Sequence, residues 1–284
     1  MLDWFDSIIL GIVEGLTEFL PVSSTGHMIL TNKLLGYGDN IPEQLKTFEI
    51  VIQFAAILAI AIVYRDKIFQ VLGFGRKETV KGLSVDALPT RRLNLIHVLL
   101  GIVPPLVAAF LFRDYIKGGG FNYVPVLWAL VVGGIYMWIS EVLYDSGKIK
   151  RTAETMDDIT YKQALIIGFI QCVSALWPGF SRSGSTIAGG MLTGLSYRAS
   201  ADFSFFIAIP IMTAATGYEL LTNIDQFRSG AIDVGFLVTG FIVSFVVAWI
   251  VVVAFLKVLQ KVKLKYFAWY RFALAAIFYL FILR

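Results

Sequence analysis

The run Glu14-Gly15-Leu16-Thr17-Glu18-Phe19-Leu20-Pro21-Val22-Ser23-Ser24-Thr25-Gly26-His27 places two carboxylates, four hydroxyls and an imidazole inside apolar surroundings. A second run, Trp177-Pro178-Gly179-Phe180-Ser181-Arg182-Ser183-Gly184-Ser185-Thr186, does the same with a guanidinium. In both, proline and small polar residues interrupt an apolar helical pattern in the middle. Residues 4–35 and 161–195 are therefore each read as a re-entrant helical hairpin, because neither half is long enough to cross a bilayer. Irregular backbone at that depth is tolerated only where protein or a water-filled cavity surrounds it. Ionisable groups there face a cavity, pair with one another, or mark a pathway.

The rest of the chain is that of an integral membrane protein. Of 284 residues, 57% are hydrophobic and 15% charged, and the mean hydropathy is +0.76. A soluble domain carries about 25% charge. Segments long enough to span lie near 47–64, 91–112, 123–144, 198–221, 232–256 and 266–283. The expected fold is an all-α polytopic membrane protein with about six spanning helices and two re-entrant hairpins. The net charge of +4 suits an anionic lipid surface. With no basic helix or aromatic ladder beside it, nucleic acid is excluded as a partner. Cys172 is the only cysteine, so an internal disulfide and a cysteine metal site are excluded; it reads as a packing residue. The N-terminus lacks the basic region of a cleavable signal, so the first hydrophobic segment is expected to stay in the mature protein.

The two broken segments align with each other. Gly11 to Pro21 falls without gaps on Gly168 to Pro178, with Thr17 on Ser174 and Glu14 on Gln171. At nearly the same offset Lys46-Thr47-Phe48 meets Ala201-Asp202-Phe203. A hairpin plus three spans, twice, makes a single membrane domain over 1–284 from two repeats, about 1–145 and 158–284. An odd number of spans inverts the second copy, and inverted repeats place their sites near the midplane. Lys and Arg crowd one set of loops: Arg65, Lys67, Arg76, Lys77, Lys81, Arg91 and Arg92, then Lys148 to Arg151, Lys162, Arg198, and Lys257 to Lys265. The other face has Lys33, Lys46, Arg113, Lys117, Arg228 and Arg284. The rich side is cytoplasmic by the positive-inside rule, which leaves both termini outside and lets the two hairpin tips meet.

The chemistry follows from the residue types. Glu14 and Glu18, four apart, share a helix face. They either hold a hard divalent cation, Mg²⁺ or Ca²⁺, or line a polar cavity while protonated, as in a proton-coupled carrier. Ser23, Ser24 and Thr25 begin a helix whose free N–H groups attract an anion. His27 follows Ser24 by three residues, so one turn can set its imidazole over the hydroxyl as base to nucleophile; the plainer reading is a cap and a hydrogen-bonded histidine. At the second tip Ser181, Ser183 and Thr186 offer hydroxyls. Arg182 there presents a planar fork for phosphate, or else a structural strut to a glutamate. Together these are the parts of a phosphate-handling site. His97, inside a span, reads as hydrogen-bonded to a neighbouring helix rather than catalytic, and Gly118-Gly119-Gly120 as a turn.

Glu14 to His27 and Pro178 to Thr186 resemble the two signature motifs of the undecaprenyl-diphosphatase family, the bacterial bacitracin-resistance proteins. The resemblance runs over essentially the whole chain, including Lys46 to Glu49 and the basic loop before Leu95-Ile96-His97. Ser185 stands where many members have alanine. The resemblance implies hydrolysis of undecaprenyl diphosphate to the monophosphate with a divalent cation, at the outer face of the cytoplasmic membrane. It also implies functional roles for Glu14, Glu18, Ser24, His27, Ser181, Arg182 and Thr186, and less directly for Glu49. On that reading Ser24 is the nucleophile, His27 its base, and Glu14 and Glu18 the cation ligands. Arg182, Ser181 and Thr186 bind phosphate oxygens, with Ser23, Thr25, Ser183 and Glu49 beside the substrate. His27 as direct nucleophile, and a water activated by the cation, stay open. The implied partners are a polyprenyl diphosphate and membrane lipid, with a homodimer left open. The rival class is an inverted-repeat transporter or flippase of a lipid phosphate or small anion.

Overall fold

The computed structural model describes residues 3–37, 41–74, 92–115, 123–222, 224, 233–258 and 262–284. Arg76, Lys77, Lys81, Arg91, Lys117, Gly118 to Gly120, Arg228 and Lys261, used above for orientation and turns, lie outside the described residues. The described chain is helical: α1 Trp4–Thr17, α2 Ser24–Leu34, α3 Glu43–Val63, α4 Arg65–Val71, α5 Leu95–Leu111, the single turn α6 Arg113–Tyr115, and α7 Tyr123–Asp145. After a 3₁₀ turn at Met156–Asp158 come α8 Tyr161–Leu176, α9 Arg182–Leu192, α10 Tyr197–Thr222, α11 Val234–Val258 and α12 Leu264–Phe278, closed by the π-turn Tyr279–Leu283. Among the described residues the only β feature is an isolated bridge between Ala153 and Leu195.

Five helices, α3, α7, α10, α11 and α12 with its terminal turn, are long and apolar enough to cross a membrane. The sixth expected span, 91–112, forms the shorter α5 of 17 residues. Its start is fixed by Asn94, whose side chain accepts from the Ile96 and His97 amides at 3.1 and 3.3 Å, so 92–94 stay outside the helix. Seventeen residues rise roughly 25 Å, the lower limit for crossing. The broken segments form α1–α2 and α8–α9, of 14, 11, 16 and 11 residues. Thr160 begins α8: its hydroxyl accepts from Gln163 N at 3.3 Å, and Gln163 Oε1 accepts from Thr160 N at 2.9 Å, which satisfies two helix-start donors at once.

Polar contacts tie helix ends together on the face carrying the Lys/Arg-rich loops. Lys67 Nζ donates to Asp157 Oδ1 at 2.5 Å, the same oxygen accepts from Leu93 N at 2.9 Å, and Tyr64 OH donates to Asp202 at 2.7 Å. Lys263 pairs with Asp145 at 2.5 Å, and this hydrogen bond raises its ammonium above the ordinary value.

Between apolar helices lipid leaves little hydrophobic driving force, so close packing of small residues carries association. Helix α1, from the first half of the chain, packs along α11 from the second; α8, from the second, packs along α5 from the first. The aligned pair Gly11 and Gly168 sits at these crossings. A Cβ on Gly11 would stand 2.9 Å from Gly240 O, and one on Gly168 would strike the Leu100 carbonyl. Both neighbours are backbone and cannot rotate away. Gly11→Ala and Gly168→Ala are each expected to lower unfolding free energy by about 1–3 kcal/mol, read by thermal unfolding in detergent. Gly217→Ala, whose Cβ meets nothing within 4 Å, is the control; equal damage from it would contradict the packing argument.

Candidate active site

Both breaks end on a serine with left-handed backbone, Ser23 at φ 75° and Ser181 at φ 74°. Among the described residues these are the only non-glycine residues with positive φ, a conformation that persists where surroundings over-determine it. Here each serine caps the next half-helix: Ser23 Oγ accepts from Gly26 N at 3.3 Å and Ser181 Oγ from Gly184 N at 3.1 Å. Ser181 lies three residues past its proline and Ser23 only two; Gly179, at φ 94°, takes up the extra residue. The gapless alignment therefore holds as far as the prolines, and beyond them Ser24 corresponds to Arg182.

The tips touch. Ser183 Oγ donates to the Leu20 carbonyl at 2.9 Å, and Arg182 Nη2 donates to Glu18 Oε1 at 3.3 Å. Ser24 Oγ donates to the other oxygen, Glu18 Oε2, at 2.6 Å. Glu18 thus joins the hydroxyl that starts α2 to the guanidinium that starts α9. The pair is nearly enclosed, at 15% and 7% side-chain exposure for Arg182 and Glu18. Arg182 also donates to Ser204 O at 3.3 Å and lies 5.7 Å over the Phe19 ring. These groups open on a cavity of about 220 Å³, to which Ser23, Thr25 and Ser181 also contribute.

Glu14 lies one turn before Glu18 and is 4% exposed. Glu18 and Glu49 are its charged neighbours, and Asn32 Nδ2 holds Glu49 Oε1 at 2.6 Å. Glu14 Oε1 has no hydrogen-bond partner among the described residues. An orphaned buried carboxylate oxygen beside a second carboxylate fits a hard cation. Among the described residues no three His, Cys, Asp or Glu side chains group closely enough to hold one unaided.

Other expected residues are placed differently. His27 is turned away from Ser24: its Nδ1–H donates to Ser23 O at 2.7 Å, and Tyr270 OH donates to its Nε2 at 2.7 Å. The carbonyl can only accept, which fixes this tautomer. The three-residue spacing made a Ser24–His27 bond feasible; the α12 hydroxyl takes the imidazole instead, and the acceptor of the Ser24 proton is Glu18. Thr186 is fully buried, with its hydroxyl shared between Arg182 O at 2.8 Å and Ser204 Oγ at 2.5 Å. Like Ser183, it braces the tip rather than lining the cavity. His97 accepts from Asn94 N at 3.3 Å and packs against Tyr161; this hydrogen bond goes to the cap of its own helix rather than to a neighbouring helix.

Residues 7–277 match the family model of the bacitracin resistance protein BacA. The chain belongs to this family. It is 46% identical over 286 residues to each of three proteins named Undecaprenyl-diphosphatase 1, covering all of both chains. They come from Bacillus cereus, Bacillus thuringiensis subsp. konkukian and Bacillus anthracis.

In this chain sequence reasoning missed Tyr270 and Arg271. Arg271 is fully buried, and among the described residues no carboxylate pairs with it. Its Nη2 donates to Ala129 O and Gly179 O, both at 2.9 Å, and its Nε to Leu130 O at 3.2 Å. It pins the second break to α7, where Gly133 leaves it room. An arginine inside the apolar run 264–283 was the available signal.

The Arg182–Glu18 pair makes a stability test. Arg182→Met alone strands a buried carboxylate, which typically costs about 3–5 kcal/mol. Adding Glu18→Gln is expected to recover a measurable part of that loss in a double-mutant cycle of unfolding free energies. Strict additivity would mean the two groups do not interact in solution.

Proposed function

We propose that this chain hydrolyses undecaprenyl diphosphate to undecaprenyl phosphate and inorganic phosphate at the outer face of the bacterial cytoplasmic membrane. The observation that carries the reading is the connected set Ser24–Glu18–Arg182 between two capped half-helices. A terminal phosphate there meets a hydroxyl whose proton already has a carboxylate to receive it. It also meets a planar guanidinium and the N–H groups at the starts of α2 and α9. The names of the full-length relatives supply the substrate. The Lys/Arg asymmetry supports an orientation with both termini outside. The crossed packing of α1 on α11 and α8 on α5, with the matched serine caps, supports two inverted repeats, about 1–145 and 158–284.

In the proposed reaction Ser24 Oγ attacks the terminal phosphorus and its proton passes to Glu18. The bond from that phosphorus to the bridging oxygen breaks, releasing the lipid monophosphate, and water then cleaves the phosphoserine. Arg182 draws the developing charge. His27, held by Tyr270, keeps the Ser23 carbonyl and the strained α2 start in place. Glu14 and Glu18 would hold the divalent cation, as hard oxygen donors that suit Mg²⁺ or Ca²⁺. Bound there, the cation supplies charge neutralisation.

Purified protein in detergent is expected to release phosphate from a polyprenyl diphosphate, to stop in EDTA, and to recover with Mg²⁺ or Ca²⁺. Binding without turnover would favour the carrier class, and full activity in EDTA would remove the cation. Within the same assay Glu18→Gln is expected to lower kcat by about 10²–10⁴, the usual worth of a positioned base, while Tyr270→Phe stays near the parent rate. Near-parent turnover in Glu18→Gln together with a loss of that size in His27→Ala would return the base to His27.

A further inference from the structure

The cavity lining includes uncharged residues that the proposed reaction leaves unused. Gln171 of α8 is 1% exposed and lines the cavity, yet its Oε1 has no hydrogen-bond partner among the described residues. Gln53 of α3 lines the same space. A buried carboxamide oxygen without a partner is costly, and native structures keep one where something else completes it. Ser174, also on the lining, gives its proton to the Gln171 backbone carbonyl at 2.9 Å, so away from the two half-helix starts the carboxamides of Gln53 and Gln171 are the lining's side-chain donors. Ile211, Met212 and Ala215, also on the lining, are apolar.

Charge explains why amides belong here. A diphosphate brings two anionic phosphates, and Arg182 is already half-neutralised by Glu18 at 3.3 Å. One phosphate can sit at Ser24 and Arg182; the other needs donors elsewhere. Gln171 occupies the position that the aligned hairpins give to Glu14. A carboxylate there would repel a phosphate, whereas a carboxamide offers two N–H donors to the anion and a carbonyl to a protonated oxygen or a water. Resting on the hydrolase reading above, we propose that Gln171, with Gln53, forms the subsite for the second phosphate and so selects diphosphates over monophosphates.

The test is calorimetric titration of the full chain in detergent and constant divalent cation with two probes, methylenediphosphonate, which cannot be hydrolysed, and inorganic phosphate. The parent is expected to bind the diphosphonate more tightly. Gln171→Leu, close in volume but without donors, is expected to weaken the diphosphonate about tenfold or more, the worth of one hydrogen bond to a charged group, and to leave phosphate nearly unchanged. Equal loss for both probes, no loss for either, or no parental preference would overturn the subsite. Should Gln171→Leu fail to fold, Gln53→Ala decides by the same comparison. Phosphate release by the parent, measured alongside, separates the two readings. Selective loss without turnover keeps the subsite and sinks the hydrolase; turnover without selective loss sinks the subsite alone.

Discussion

A helix broken inside an apolar bundle leaves N–H and C=O groups that need partners, and the architecture of this chain follows from how those groups are met. Ser23 and Ser181 take left-handed backbone and cap the half-helices that follow. Ser183 covers the Leu20 carbonyl, Arg271 covers that of Gly179, and Trp177 Nε1 reaches Pro125 O at 2.8 Å. Each bond runs from a tip to another segment, so the tips are held by the bundle. The helix starts that result are fixed, concave and rich in donors.

The same bonds explain why a buried ion pair is placed where it is. Arg182 and Glu18 come from opposite tips, and each would be a severe burden alone. A buried pair is weak evidence for net stability; what it gives here is register between two hairpins and a carboxylate already oriented toward Ser24. Arg271 illustrates the other solution. It is satisfied by carbonyls alone, with Nη1 left over, and it stabilises an irregular loop.

Around these polar contacts the helices associate through fit. Gly11, Gly15 and Gly168 bring α1 and α8 against backbone of α11 and α5, and α9 is buried from Ser183 to Met191. Small residues let the half-helices be enclosed, and enclosure is what makes a hydroxyl, a carboxylate and a guanidinium effective in a medium of low dielectric.

Composition and pattern alone determined that the chain is a multi-pass helical membrane protein, that two segments break at Pro21 and Pro178, and that Glu14, Glu18, Ser24 and Arg182 stand at those breaks. Apolar run length and proline position act locally, so they can be read without a fold. The length of α5 needed the Asn94 cap. The partner of each side chain was out of reach, because spacing defines neighbours only three or four residues away. His27 could meet Ser24 along its own helix, yet it bonds Tyr270, 243 residues on. Ser24 bonds a glutamate from the preceding half-helix, Thr186 turns to Ser204, and Gln171 faces the cavity with Arg182. Those choices belong to the way separate helices pack, which brings distant segments within hydrogen-bonding range and turns a helix face toward a cavity or away from it.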